Sequence, residues 1–216
     1  ATSPIYGLKA ETAGATVRTR PPVRLFSFNS DGTAFTDHGT IQLNGTAIDA
    51  DGLAFSPARG LLAYQMIHAS SAVAPTSSQL LSLDPSTAAA TPIGEALADR
   101  VIRGAAFDAG DRLWALDQLQ DQLLQIDPSS GSILGIPVTL TLGGSPYNLG
   151  DLTDLAVRDD GTFVVGDGAG ASFYTLDPGS GVLTFITRDT VLQAGPATTP
   201  PPRNAPMPLS MARTWQ

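Results

Sequence analysis

The feature of this chain that most restricts its fold is a hairpin pattern written three times. Segments 51–64, 103–116 and 153–166 align without a gap, at a spacing of about 50 residues. Self-similarity at that period marks a repeat array, in which each unit buries its faces only against its neighbours. A second repeated segment follows each hairpin: Gln79–Ala88, Gln122–Gly131 and Ser172–Gly181. Each carries an Asp-Pro pair at the same place, Asp84-Pro85, Asp127-Pro128 and Asp177-Pro178. Such a pair suits a type I turn, because the carboxylate accepts a backbone N–H and proline presets φ at the next position. Gly131 and Gly181 supply the left-handed residue that closes the turn, and Ala88 occupies that column in the first copy. A further copy of this outer segment, Arg24–Thr33, precedes the first hairpin, with Asn29 in the Asp column.

The residue columns predict how each strand is buried. In the first strand, Leu53/Ala105/Leu155 and Phe55/Phe107/Val157 alternate with Ala54/Ala106/Ala156, so one face carries the larger columns and the other only alanine. The alanine face is expected to approach another backbone closely. The second strand (61–63, 113–115, 163–165) is apolar throughout, as expected of a strand covered on both faces. Four short antiparallel strands per unit, with a small innermost strand, make a propeller blade. The expectation is an all-β fold: a small β-propeller of about four four-stranded blades. The blades are 5–43 completed by 207–213, then 50–98, 102–140 and 152–190. In this reading Leu209–Ala212 pairs with Ile5–Leu8, the N- and C-terminal strands close the ring, and no open edge is left. The proline-rich segment 195–208 reads as an extended tether, or as a reach toward a neighbouring subunit of a larger assembly.

The outer turns resemble those of secreted bacterial β-propellers whose repeats read Leu-x-x-Ile-Asp-Pro-x-Thr-Gly and then Ile-Gly. Leu83–Thr87 with Ile93-Gly94, Ile126–Pro128 and Leu176–Pro178 carry the resemblance. It implies a fold shared by binding modules, lactonases, lyases and structural proteins. Placement outside the cytoplasm, secreted or periplasmic, agrees with a chain that starts at Ala1, as after removal of a signal peptide.

Composition excludes several functions. With 12 Lys+Arg against 20 Asp+Glu and no basic run, nucleic acid is not an expected partner. No apolar stretch is long enough to span a bilayer. The absence of cysteine rules out disulfides and thiolate metal sites.

Candidate chemistry gathers where the innermost strands begin, at the mouth of a central channel. The ligand-binding candidates are Asp51, Arg103, Asn148, Asp151 and Asp154, with Asp49 and Tyr147 nearby. Asp51, Asp151 and Asp154 are oxygen donors of the kind calcium takes, and the resemblance to calcium-dependent lactonase propellers would give that ion a Lewis-acid role. The competing reading has these carboxylates capping turns, with Arg103 paired to one of them and no cofactor. His68 stands in the segment Gln65–Ser78 with several serines, and Asp31, Asp108, Asp111, Asp159 and Asp160 are assigned to turns. The segments Gln65–Ser78 and Leu140–Leu152 are read as variable binding loops. With no assembled catalytic motif in view, the leading expectation is a non-enzymatic binding or structural module for a protein, small-molecule or carbohydrate ligand. The alternative is a calcium-dependent hydrolase, lactonase or lyase with its site at the channel mouth.

Overall fold

The computed structural model describes residues 4–10, 22–68, 74–150, 153–168 and 171–188. The closing strand 207–213, the segment 195–208 and Asp151 lie outside the described residues. Within them the protein is all β, with no helix and four separate sheets.

The first sheet orders β1 (Pro4–Ala10), β2 (Val23–Asn29) and β3 (Thr36–Thr40) as an antiparallel meander. The second has β6 (Ala50–Ser56) at one edge, then β7 (Gly60–His68), β8 (Pro75–Leu83) and β9 (Ala89–Pro92). The third runs β11 (Ile102–Phe107), β12 (Leu113–Asp117), β13 (Gln122–Ile126) and β14 (Ile133–Thr139). The fourth runs β17 (Thr153–Val157), β18 (Phe163–Asp167), β19 (Ser172–Leu176) and β20 (Val182–Arg188). The thrice-written hairpin is therefore β6–β7, β11–β12 and β17–β18, and the Asp-Pro turns join β8 to β9, β13 to β14 and β19 to β20.

Side-chain periodicity explains the stacking. Three apolar cores form, each between consecutive sheets. The first joins Val23 and Leu25 to Leu61, Ala63 and Leu81. The second joins Leu62, Tyr64 and Leu80 to Leu113, Ala115, Leu124 and Ile126. The third joins Leu116 and Leu123 to Leu155, Phe163, Val165 and Tyr174. Alternate residues of one strand feed different cores, as Leu61 and Ala63 do against Leu62 and Tyr64, which is why the second strand of each hairpin is apolar throughout. Trp114 packs edge-on against Phe163 and donates its indole N–H to Asp108 at 2.9 Å.

The small-residue expectation is met by Ala54, which is buried in the second core, while Ala106 and Ala156 are half-buried. The closest approach is made one column away, at glycine. A Cβ built on Gly104 would lie 2.5 Å from the Leu155 amide nitrogen. At Gly52 it would meet Ala105 at 3.6 Å. Backbone thus meets backbone where β6 lies beside β11 and β11 beside β17.

The outer turns follow the expected chemistry. Asp84 Oδ1 accepts the Ser86 N–H at 2.8 Å, Asp127 Oδ1 that of Ser129 at 2.9 Å, and Asp177 Oδ1 that of Gly179 at 2.8 Å. Serine hydroxyl donation at the first two turns, led by Ser86 and Ser129, holds those carboxyls below their usual range. At Asp177 the Gly179 N–H is the main cause. Turn closure is not the whole reason for glycine in the closing column. A Cβ on Gly181 would sit 2.1 Å from the Thr139 carbonyl oxygen, because the segment entering the fourth sheet crosses there. Ala88 holds φ of 55° in the same column.

Three expectations change. The described residues of the segment Gln65–Ser78 are mostly strand, since β7 continues to His68 and β8 starts at Pro75, while 69–73 lie outside the described residues. Leu140–Leu152 contains a small hairpin, β15 (Thr141–Leu142) and β16 (Ser145–Pro146), with β15 parallel to β20. It matches β4 (Gln42–Leu43) and β5 (Thr46–Ala47), with β4 parallel to β9, so these connections are a repeated element. Asp111 does more than make its own turn. It accepts hydrogen bonds from the Ser56 hydroxyl and, at 3.0 Å, from Arg59 Nε, tying the hairpin turn of the third sheet to that of the second. Replacing Asp111 with asparagine keeps a residue tolerant of its left-handed φ of 58° but removes the charge. Urea unfolding of Asp111→Asn is expected to show a midpoint below that of the parent, and an unchanged midpoint would show that the link contributes nothing to stability.

Candidate active site

The site is assembled where β6, β11 and β17 start. The alignment of the three hairpins places Asp51, Arg103 and Thr153 in one column, and Gly52, Gly104 and Asp154 in the next. Lateral contact of the inner strands then brings residues of three repeats together. Arg103 is buried, 3% exposed. Its Nε donates to Gln118 Oε1 at 2.9 Å, and its NH1 lies 3.5 Å from Asp51 Oδ2. Asp51 also accepts the Gly52 N–H at 3.2 Å. A buried guanidinium needs a charged partner, and Asp51 supplies it.

Asp154 takes the place of the two glycines. Opposite it on β18 stands Gly166. The Leu155 N–H donates to Asp154 Oδ1 at 2.8 Å. That single bond does not offset burial, which pushes the Asp154 carboxyl up to about 7, with the negative charge of Asp51 adding to the rise. Near neutral pH the site therefore pairs a carboxylic acid with an ionised carboxylate, the arrangement by which acid–base sites divide their roles.

The structure joins Asp51, Arg103 and Asp154 and adds Gln118, which no sequence pattern singles out. Asn148 is exposed, and no hydrogen bond joins it to this group among the described residues. Tyr147 instead donates its phenol to Asp167, and burial with that bond raises its pKa. Asp117 and Asp167, at the ends of β12 and β18, form a repeated column of buried carboxylates. Asp117 accepts Arg100 NH1 at 2.7 Å and the N–H groups of Val101 and Leu119 at 3.0 Å each, which serves the architecture.

Calcium was expected on Asp51, Asp151 and Asp154, and Asp151 lies outside the described residues. The ion takes six to eight oxygens. The described residues offer two carboxylates, one facing a guanidinium and the other holding a proton near neutrality. No group of three acidic or histidine side chains able to hold a metal occurs among the described residues. No catalytic step is assigned to the ion.

No helix of the described residues is long and apolar enough to cross a membrane. No protein-family model matches the chain, and no curated protein is similar to it in sequence. Solved structures do match. A GH43 β-xylosidase/α-arabinofuranosidase from a compost microbial metagenome, in complex with xylotriose in a calcium-free form, aligns over 84% of this chain and 73% of its own at 13% identity, with a TM-score of 0.56. A GH43_1 enzyme from Xanthomonas citri aligns over 84% and 69% at 12% identity, with a TM-score of 0.55. Glutaminyl cyclase from Myxococcus xanthus aligns over 85% and 74% at 16% identity, with a TM-score of 0.51. The expectation of a module without chemistry is corrected by these matches, since all three are enzymes of β-propeller type. At such identities they speak for architecture, and the sheets stacked through shared cores agree with them. The chain has a β-propeller-type fold.

Proposed function

We propose that this protein is an acid–base enzyme of the hydrolase or lyase class, with its site at the channel-mouth ends of β6, β11 and β17. The observation that carries the reading is the placing of Asp154, a carboxyl on the inner strand where the other two repeats have Gly52 and Gly104, at the same strand ends as the Arg103–Asp51 pair; burial, with the charge of Asp51 adding, raises its pKa to about 7. In this reading Asp154 gives its proton to the leaving atom of the substrate. Arg103, fixed by Gln118, keeps Asp51 ionised, and the Asp51 carboxylate stabilises positive charge that develops as the bond breaks. The ring belongs to the same reading. The four sheets are its blades, and 207–213 adds to β1 as the inner strand of the first blade, in the place that β6 takes beside β7. The three-strand first sheet supports this, because its described residues include no strand on the outer side of β1.

The test is turnover of p-nitrophenyl glycosides and p-nitrophenyl acetate across pH 5–9. The expected profile falls above about pH 7 as Asp154 loses its proton. Asp154→Asn is expected to lower kcat by roughly 10²–10⁴. No turnover from either probe class, or an unchanged kcat in the variant, would overturn the reading.

A further inference from the structure

Side-chain alternation fails in two of the three inner strands. Ala50 and Ala54 are four residues apart and would share a face of a regular strand, yet Ala50 belongs to the first core and Ala54 to the second. Ile102 and Ala105 are three apart, an odd spacing, yet both belong to the second core. Strand pairing shows why. In β6 the register shifts between Asp51, opposite Tyr64, and Ala54, opposite Leu62, so Gly52 and Leu53 stand against Ala63 alone. In β11 it shifts between Ile102, opposite Asp117, and Gly104, opposite Leu116, which leaves Arg103 as the extra residue. The third inner strand, β17, pairs without a shift. One-residue bulges thus occur in the two inner strands that supply the Asp51–Arg103 pair, at the strand ends where that pair stands.

An extra residue in a strand reverses the face of everything beyond it. If the Ala54–Leu62 register continued, Asp51 would stand opposite Gln65, on the face that carries Leu53 and Phe55 into the first core. With the bulge it stands opposite Tyr64, on the face that packs on the third sheet, and its Oδ2 lies 3.5 Å from Arg103 NH1. Gly52 makes this bulge with a left-handed φ of 59°, the conformation that the first residue of a glycine bulge takes. Crowding is not the reason for glycine here, because a Cβ would meet Tyr64 and Ala105 only at 3.5 and 3.6 Å, an ordinary contact. We propose that Gly52 is a positioning residue of the site, its left-handed backbone turning Asp51 to face Arg103. What Asp51 then does rests on the acid–base reading above, whereas the turning belongs to the folded chain alone.

The test reads the Arg103 side-chain Nε–H by ¹⁵N NMR without substrate, with Asp51→Asn giving the signal expected when the ion pair is lost. Gly52→Val, whose branched side chain disfavours a left-handed φ, is expected to move the signal to that same position. Gly60→Val is the control, since Gly60 has a φ of 78° and open space around it at the turn end of the same hairpin. It is expected to lower the melting temperature and leave the signal in place. Deleting Gly52 removes the extra residue and keeps Asp51 opposite Tyr64, so the deletion is expected to keep the parent signal. With the p-nitrophenyl probes, Gly52→Val is expected to lower kcat as Asp51→Asn does, roughly 10²-fold, and the double variant to lose no more. A parent-like signal in Gly52→Val, an equal shift in Gly60→Val, or loss of the signal in the deletion overturns the inference. Should Gly52→Val fail to fold, the deletion decides alone. If Gly52→Val keeps kcat while Asp51→Asn loses it, the inference fails and the acid–base reading stands. If neither probe is turned over, that reading fails and the NMR signals decide the inference.

Discussion

Adding one methyl group at position 104 is expected to remove about 3 kcal/mol of folding stability. The Cβ of Gly104→Ala would fall 2.5 Å from the Leu155 nitrogen and 2.8 Å from the Asp154 carbonyl carbon. Both are backbone atoms of the neighbouring inner strand. A flexible side chain would move aside, but a strand bonded along its length to β18 moves only with its sheet. The third core, which holds Leu116, Leu155 and Val165 together, would open as β17 is pushed away. Gly166→Ala is the control. Its Cβ would meet the ring of half-exposed Phe173 at 3.4 Å, an ordinary contact, so it is expected to cost less than about 1 kcal/mol. Urea unfolding of the two variants at one pH reads the difference. Equal stabilities would mean that the inner strands are not packed backbone to backbone.

The second large effect is a change in how stability depends on pH. The Asp154 carboxyl ionises at about 7 in the folded protein, against an ordinary 3.8. A raised acid binds its proton more tightly when folded, so its contribution is most favourable at low pH. Stability then declines as pH rises from about 4 to about 7, and the cost is constant above that. The shift corresponds to roughly 2–4 kcal/mol, with the lower figure allowing for the part of the side chain that reaches solvent. Asp154→Asn abolishes the ionisation. At pH 8 the variant is expected to be more stable than the parent by about that amount, and at pH 4 nearly equal to it. Thermal melts at the two pH values check this. Gain of stability with loss of turnover would be the trade expected of a strained catalytic group.

Local chemistry makes much of this fold legible in the residues alone. The Asp-Pro turns need only their own carboxylate and the next amide groups, so Asp84, Asp127 and Asp177 can be placed from sequence. The apolar second strands also announce themselves, because a strand between two cores has no polar face to show. The hairpins β4–β5 and β15–β16 leave no such trace. Strands of two residues have no period, and Thr141–Pro146 shares little with Gln42–Ala47 beyond a glycine-containing turn. Gly104 carries no sign of its role in the sequence, since its reason lies in a backbone from another repeat.

The site divides the same way. Asp51, Arg103 and Asp154 are legible because the starts of inner strands converge in a propeller. Asn148 is not part of the group because the β15–β16 connection leaves it exposed. Gln118 escapes sequence reasoning because it acts through Arg103, across a distance that chain spacing does not encode.

The most direct test of the account is a ¹³C NMR titration of the Asp154 side-chain carboxyl, assigned by its loss in Asp154→Asn. A midpoint near 7 that falls when Asp51 is changed to asparagine is the predicted result. A midpoint near the ordinary 3.8, unmoved by Asp51→Asn, would contradict it and leave the inner-strand site without its acid.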